Sequence, residues 1–234
     1  MRAASLLLLA ARAGAGIFKP TSLLVVTHGN GALLNTASRP VLVHEVAPPY
    51  TSLASQLVRT ISLPTVTSGS QLACTLYSSG THANASYITP YVGHLSRSSD
   101  GRFAALGCLG CPVGSTLATA SCPRVVARID ANGGVNTSTA ILNWAVGAAP
   151  LSVATIDGQA YWLAGLGGVL YAPHGLRGNG VLLHALDKVA LVYQVILYGG
   201  QLFGVTTFQS AIGGARVLVR SKLPAPNTHS STPL

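Results

Sequence analysis

The feature that most limits what this chain can fold into is the absence of helical periodicity. No stretch sustains apolar residues three and four apart over several turns. What recurs is a short β-branched or aromatic run, broken by Gly, Asn, Asp or Pro, then another run. Residues 23–26, 41–46 and 57–63 read as strands, the last alternating Leu57, Arg59 and Ile61 against Val58, Thr60 and Ser62. Residues 125–130 lead through Ala131-Asn132-Gly133-Gly134 into residues 135–137. That spacing predicts a hairpin on an Asn-Gly turn with positive φ at both central residues. Residues 137–149 are the least strand-like and predict a short helical turn. The pattern as a whole predicts an all-β fold.

Composition supports a packed domain. Of the 234 residues 49% are hydrophobic and 8% charged, which is enough apolar surface to offset the entropy of ordering. The longest apolar run, residues 189–198, falls short of the roughly 18 to 20 residues that a membrane helix needs. Gln194 interrupts it, so it predicts a buried strand, and no transmembrane segment is expected.

A weak repeat emerges when the turns are compared. Ser99-Asp100-Gly101-Arg102-Phe103, Ile156-Asp157-Gly158-Gln159-Ala160-Tyr161 and Tyr198-Gly199-Gly200-Gln201-Leu202-Phe203 each place a Gly turn before an aromatic-bearing strand. Gly29-Asn30-Gly31-Ala32-Leu33-Leu34 is a fainter first copy without the aromatic. Leu95-Ser96, Asp100-Gly101-Arg102-Phe103, Pro112-Val113-Gly114 and residues 124–130 resemble a group of uncharacterised secreted β-propeller-like repeat proteins of bacteria and green algae. Gly167-Gly168-Val169-Leu170-Tyr171 and Gly200-Gln201-Leu202-Phe203 are similar to that group too. The resemblance spans residues 18–219 and implies four-stranded blades, with no functional residues to carry over. At about 40 to 50 residues per blade the chain holds four to five blades, either a small ring or an incomplete one. Cys108 and Cys111 depart from the pattern.

The termini read differently from the middle. Arg2 followed by the apolar run of residues 3–11 and the small-residue steps Ala11-Arg12-Ala13 and Ala13-Gly14-Ala15 predict a secretory signal peptide over residues 1–15. The alternative is an organellar transit peptide, since no acid precedes Glu45. Residues 16–222 form the expected domain, and residues 223–234, with Pro224, Pro226 and Pro233, a disordered tail. Asn84-Ala85-Ser86 and Asn136-Thr137-Ser138 are glycosylation sequons, so a secreted glycoprotein is expected. Cys74, Cys108, Cys111 and Cys122 all lie in the one 49-residue window 74–122 and predict two disulfides, with three pairings open. Free thiols, or a zinc or redox site at Cys108-Leu109-Gly110-Cys111, are the competing readings.

Catalytic signatures are scarce. G-x-S-x-G, H-E-x-x-H and the phosphate-binding loop are absent from the sequence, and no cofactor is expected. The adjacent pair His44-Glu45 sits in a strand with its side chains on opposite faces. The seven histidines show no ligand spacing, and no metal site is expected. The cluster Gly165-Leu166-Gly167-Gly168 predicts a turn. Trp144, Trp162 and Tyr171 are core aromatics or, as the alternative, a sugar-stacking platform. The net charge of +9 is scattered apart from Arg216, Arg220 and Lys222, whose even spacing predicts one basic strand face. No nucleic-acid module accompanies it.

Together these observations predict a non-enzymatic extracellular β-propeller-like module binding or scaffolding glycan or protein. The alternatives are a hydrolase or lyase on the same scaffold, using Asp100 or Asp157, and a gene fragment without independent function.

Overall fold

In the computed structural model the described residues are 4–7, 21–29, 37–48, 56–77, 92–115, 122–144, 149–184, 191–207 and 215–222. The all-β expectation holds. The strands are β1 (Ala4–Leu7), β2 (Leu23–His28), β3 (Ser38–Val46), β4 (Leu57–Ser62), β5 (Thr75–Tyr77), β6 (Leu95–Arg97), β7 (Phe103–Leu109), β8 (Arg124–Asp130) and β9 (Val135–Ile141). Then come β10 (Ser152–Ala154), β11 (Ala160–Gly165), β12 (Gly168–Pro173), β13 (Arg177–Gly178), β14 (Val181–His184), β15 (Leu191–Tyr198), β16 (Gln201–Thr207) and β17 (Ala215–Lys222).

They form a ten-stranded sheet in the order β1-β2-β3-β5-β7-β8-β9-β13, with β4 added on β3 and β6 on β7. A four-stranded sheet β10-β11-β12-β14 and a three-stranded sheet β15-β16-β17 complete the fold. The propeller of four to five separate blades is therefore overturned. No sheet closes into a ring or barrel, and of the sheets of ten, four and three strands only one has the four strands of a blade. The cause lies in β3. It is nine residues long, and along one edge Ser38–Pro40 pairs with β5 while Leu42–Val46 pairs with β4. A strand that bridges two neighbours fuses into one hydrogen-bonded ladder what discrete blades would keep apart.

The repeated turns themselves are present. Gly101, Gly158, Gly199 and Gly200 all have positive φ, and the turns lead into β7, β11 and β16. Those strands enter sheets of ten, four and three strands, so equal turns do not make equal units. The fainter copy around Gly31 lies outside the described residues, as does the tail at 223–234. Ala4–Leu7, inside the expected signal peptide, pairs antiparallel with β2.

Two local expectations are also corrected. Residues 135–141, placed partly in a helical turn, form β9, and its Thr137 and Thr139 are buried. The β8–β9 hairpin forms, yet only Gly133 has positive φ (86°), and Asn132 keeps an ordinary backbone. The Gly133 amide donates to the Asp130 carbonyl and the Asp130 amide to that of Gly134, each at 2.9 Å. That is a type I turn followed by a left-handed glycine, which needs one residue more than an Asn-Gly two-residue loop.

Three apolar clusters hold the sheets together. Val41, Val43, Leu76, Leu106, Val125 and Ile129 lie in the one belonging to the large sheet. Ala105 and Val126 on that sheet meet Val153, Tyr161, Leu163 and Leu170 of the four-stranded sheet. The opposite face of the four-stranded sheet, with Ala154, Trp162, Ala164 and Val169, packs on Val192, Val195 and Leu202 of the three-stranded one. Alternation along β11 thus feeds two cores, Tyr161 and Leu163 one way, Trp162 and Ala164 the other. Between β12 and β14 the chain crosses to the large sheet, where β13 runs parallel to β9 and covers its edge.

Candidate functional site

Polar chemistry concentrates where the repeated turns meet. The Ser99 and Asp100 amides donate to the Thr155 and Ile156 carbonyls, each at 3.0 Å, so the 98–103 and 155–160 turns lie side by side. Beneath them the Arg128 guanidinium stands over the Phe103 ring at 4.7 Å and donates to the Gly158 carbonyl at 3.0 Å. The fully buried Tyr161 hydroxyl donates to the same carbonyl at 3.0 Å and lies 2.9 Å from His174 Nδ1. With its single proton committed to Gly158, the phenol oxygen accepts from an Nδ1–H of a neutral His174. Burial pushes the Tyr161 phenol up to about 12, against the opposing pull of Arg128. Burial, reinforced by Arg128, lowers His174.

A tyrosine, a histidine and an arginine in contact are groups that can move protons. Here the phenol has no exposed surface, and its proton and oxygen are both engaged by the protein. The arrangement clamps two turns together.

The aspartates are committed in the same way. Asp100 Oδ1 accepts from the Ser98 hydroxyl (2.6 Å) and the Arg102 amide (3.0 Å), and Oδ2 from the Arg102 guanidinium (2.5 Å). Burial tends to raise its pKa, but these bonds outweigh it and hold the carboxyl below the usual range. Asp157 Oδ1 accepts from the Gln159 amide at 2.9 Å, and Asp130 Oδ1 from the Asn132 and Gly134 amides at 2.8 Å. Each carboxylate closes its own turn. The hydrolase or lyase reading on a propeller scaffold falls with that scaffold.

The four cysteines form two disulfides. Cys74–Cys108 ties the start of β5 to β7, with Cα atoms 5.2 Å apart. Cys111–Cys122 closes the loop between β7 and β8, with Cα atoms 5.4 Å apart. The Thr75 hydroxyl donates to the Cys111 carbonyl at 2.9 Å and knits the two bridges into one corner. Zinc and free-thiol readings fall with these pairings. In the same corner Arg124 is buried and donates to the Cys122 carbonyl at 2.7 Å. Burial lowers it to about 10, so the guanidinium stays charged at neutral pH.

Other candidates resolve as structural. Trp144 and Trp162 are buried in different clusters, and Trp162 tilts against Tyr171 at 5.6 Å, so the three aromatics make no shared platform. The His44 ring bridges the Thr27 and Thr60 hydroxyls (2.8 and 2.9 Å), while Glu45 on the other face is wholly buried and bound to Arg59 at 2.8 Å. No group of three metal-ligating side chains occurs among the described residues. Asn136 lies on β9, where its Oδ1 accepts from the Ser138 amide and hydroxyl (3.0 and 2.8 Å), and Asn84 lies outside the described residues. Along β17 the register slips between the partners of Leu202 and Gly204, so a period of two does not carry from Arg216 to Lys222. The Arg59–Glu45 pair and the Arg128–Phe103–Tyr161–His174 clamp have no signal in the sequence, because each joins residues from separate strands.

In comparisons with known proteins, no family model, no curated protein and no solved structure matches this chain. The resemblance drawn above therefore rests on its quoted residues alone. The glycan- or protein-binding propeller module is overturned with its architecture, and neither a metal cluster nor an aromatic cluster stands in its place among the described residues.

Proposed function

We propose that this chain is an exported, disulfide-stapled structural β-domain that works in an oxidising compartment. The carrying observation is the pair of disulfides, Cys74–Cys108 and Cys111–Cys122, built into one corner of the core. Reducing compartments keep such thiols open, whereas exported domains retain them. The amino-terminal pattern of Arg2, the leucine run and the small-residue steps at Ala13 and Ala15 supports export. A structural role is supported by the acids. Each of the four described acids, Glu45, Asp100, Asp130 and Asp157, accepts at least one internal hydrogen bond.

The test is expression of the full chain with its own amino terminus in a secretory host, followed by non-reducing peptide mapping. The expected product begins near residue 14 or 16 and so lacks β1 from the large sheet, carries both disulfides, and bears glycan at Asn84, Asn136 or both. A full-length chain retained inside the cell with alkylatable thiols overturns the proposal, and delivery to an organelle selects the transit-peptide form.

A further inference from the structure

Three Asn-Gly steps occur in the chain, Asn30-Gly31, Asn132-Gly133 and Asn179-Gly180. An asparagine followed by glycine carries a reaction of its own. The next residue's backbone nitrogen can attack the side-chain carboxamide, and glycine shields that nitrogen least because it has no Cβ. The attack requires the planar peptide unit between the two residues to turn as a body. Asn30-Gly31 lies outside the described residues, and the fold treats the other two steps differently.

At Asn132-Gly133 the peptide plane is held at both ends. The Asn132 carbonyl accepts from Arg59 Nη1 at 2.8 Å, and the Gly133 amide donates to the Asp130 carbonyl at 2.9 Å. The Asn132 amide is tied as well, to Asp130 Oδ1 at 2.8 Å. At Asn179-Gly180, among the described residues, neither the Asn179 carbonyl nor the Gly180 amide has a hydrogen-bond partner. Asn179 is exposed, and its Oδ1 accepts from Asn143 Nδ2 at 3.3 Å, which draws electrons from the carbon to be attacked. Packing also demands glycine at 180. An added Cβ there would come within 2.4 Å of Leu170 Cδ2 and 2.5 Å of the Tyr171 carbonyl oxygen.

We propose that Asn179 is a self-modification site, converting to aspartate and isoaspartate in the folded chain, while the turn held by Arg59 preserves Asn132. The Gly180 nitrogen attacks Asn179 Cγ. A bond forms between them as the bond from Cγ to Nδ2 breaks, and the Gly180 amide proton leaves with the departing ammonia. Water then opens the cyclic imide at either carbonyl. The product carries a negative charge in a chain of net +9. Its isoaspartate form also adds a methylene to the backbone where the chain passes from β13 to β14. This chemistry goes beyond the structural role proposed above and does not depend on the compartment.

The experiment incubates the full, disulfide-bonded chain at mildly alkaline pH and follows acid and isoaspartate at each asparagine by peptide mapping. In the folded chain Asn179 is expected to convert about tenfold or more faster than Asn132. In concentrated urea with the disulfides reduced, where the fold's hydrogen bonds are gone, the two rates are expected to converge. Equal rates in the folded chain overturn the proposal. So does an Asn179 that stays intact in the folded chain while the unfolded chain converts. A difference that persists in urea also overturns it, since the neighbouring sequence rather than the fold would then set the rates.

Discussion

At Gly158 two constraints meet in one residue. Its φ is +76°, and an added Cβ would come within 2.9 Å of Arg128 Cδ and of Phe103 Cδ2. Gly158→Ala therefore strains the backbone and pushes on the Arg128–Phe103 stack, and it should destabilise the fold by about 2 to 3 kcal/mol in urea unfolding. Gly175, with a similar φ of +77° and nothing within 4 Å, should lose only about 1 kcal/mol on the same change. Equal losses would show that the stack contributes nothing. Glu45 offers a second test. Its side chain is fully buried, and Arg59, which holds it at 2.8 Å, also donates to the carbonyls of Ala131 and Asn132. Arg59→Met removes the ion-pair partner of a buried carboxylate and should cost about 3 to 5 kcal/mol. Adding Glu45→Gln should recover part of that, since a neutral amide is cheaper to bury. A double variant no more stable than the single one would sink the argument. Asp100 and Asp157 were legible at their turns because each side-chain bond they make spans only two residues. The Arg59–Glu45 pair was not, because it depends on which strands lie together.

Strands were readable one at a time, and their partners were not. Residues 23–26, 41–46 and 57–63 appear as β2, β3 and β4, since alternation is a property of the local chain. The arm of β9 at 135–137 was read, but its continuation to Ile141 was missed because Thr137 and Thr139 look solvent-facing in sequence. In the fold they are satisfied from outside the strand. The Thr137 hydroxyl donates to the Leu72 carbonyl at 2.8 Å, and Thr139 accepts from the Gly175 amide at 2.9 Å. The disulfides show the same division. Their existence follows from four clustered cysteines, whereas the pairing follows from β5 lying beside β7, with Thr75 opposite Leu109. The two bridges should differ in weight. Cys74–Cys108 spans 34 residues and both cysteines are fully buried, while Cys111–Cys122 spans 11. Loop-closure entropy gives about 4 kcal/mol for the first and about 3 for the second. The double alanine variant of the longer bridge also leaves a core void, so it should melt well below the variant lacking the shorter one. The reverse order in calorimetry would mean that strand packing already holds that corner.

Over the whole molecule the ionisable groups are few and lopsided, which makes stability depend on pH in a defined window. His28, His44, His94 and His174 are all lowered from their ordinary value, burial being the first cause in each. The unfolded chain titrates them near 6.5 and the folded chain does so at lower pH, so between the two values the unfolded state binds more protons. Stability is then complete above about pH 6.5 and is lost as pH falls through the folded values. The lowered Asp100 works in the same direction but only below its ordinary carboxylate range, so it belongs to a later, more acidic step. Self-repulsion sharpens the first step. A chain of net +9 with only five acids gains up to seven further positive charges as its histidines protonate. Urea midpoints should therefore be flat at and above about pH 7.5 and fall steadily between about pH 6.5 and 5. The His44→Gln variant, whose amide can still reach the Thr27 and Thr60 hydroxyls, should show a shallower fall. If added salt removes the whole decline, net repulsion rather than histidine burial is its cause. A midpoint that holds level down to about pH 4.5 would mean the buried rings take up protons inside the fold without cost, against the order expected from their burial.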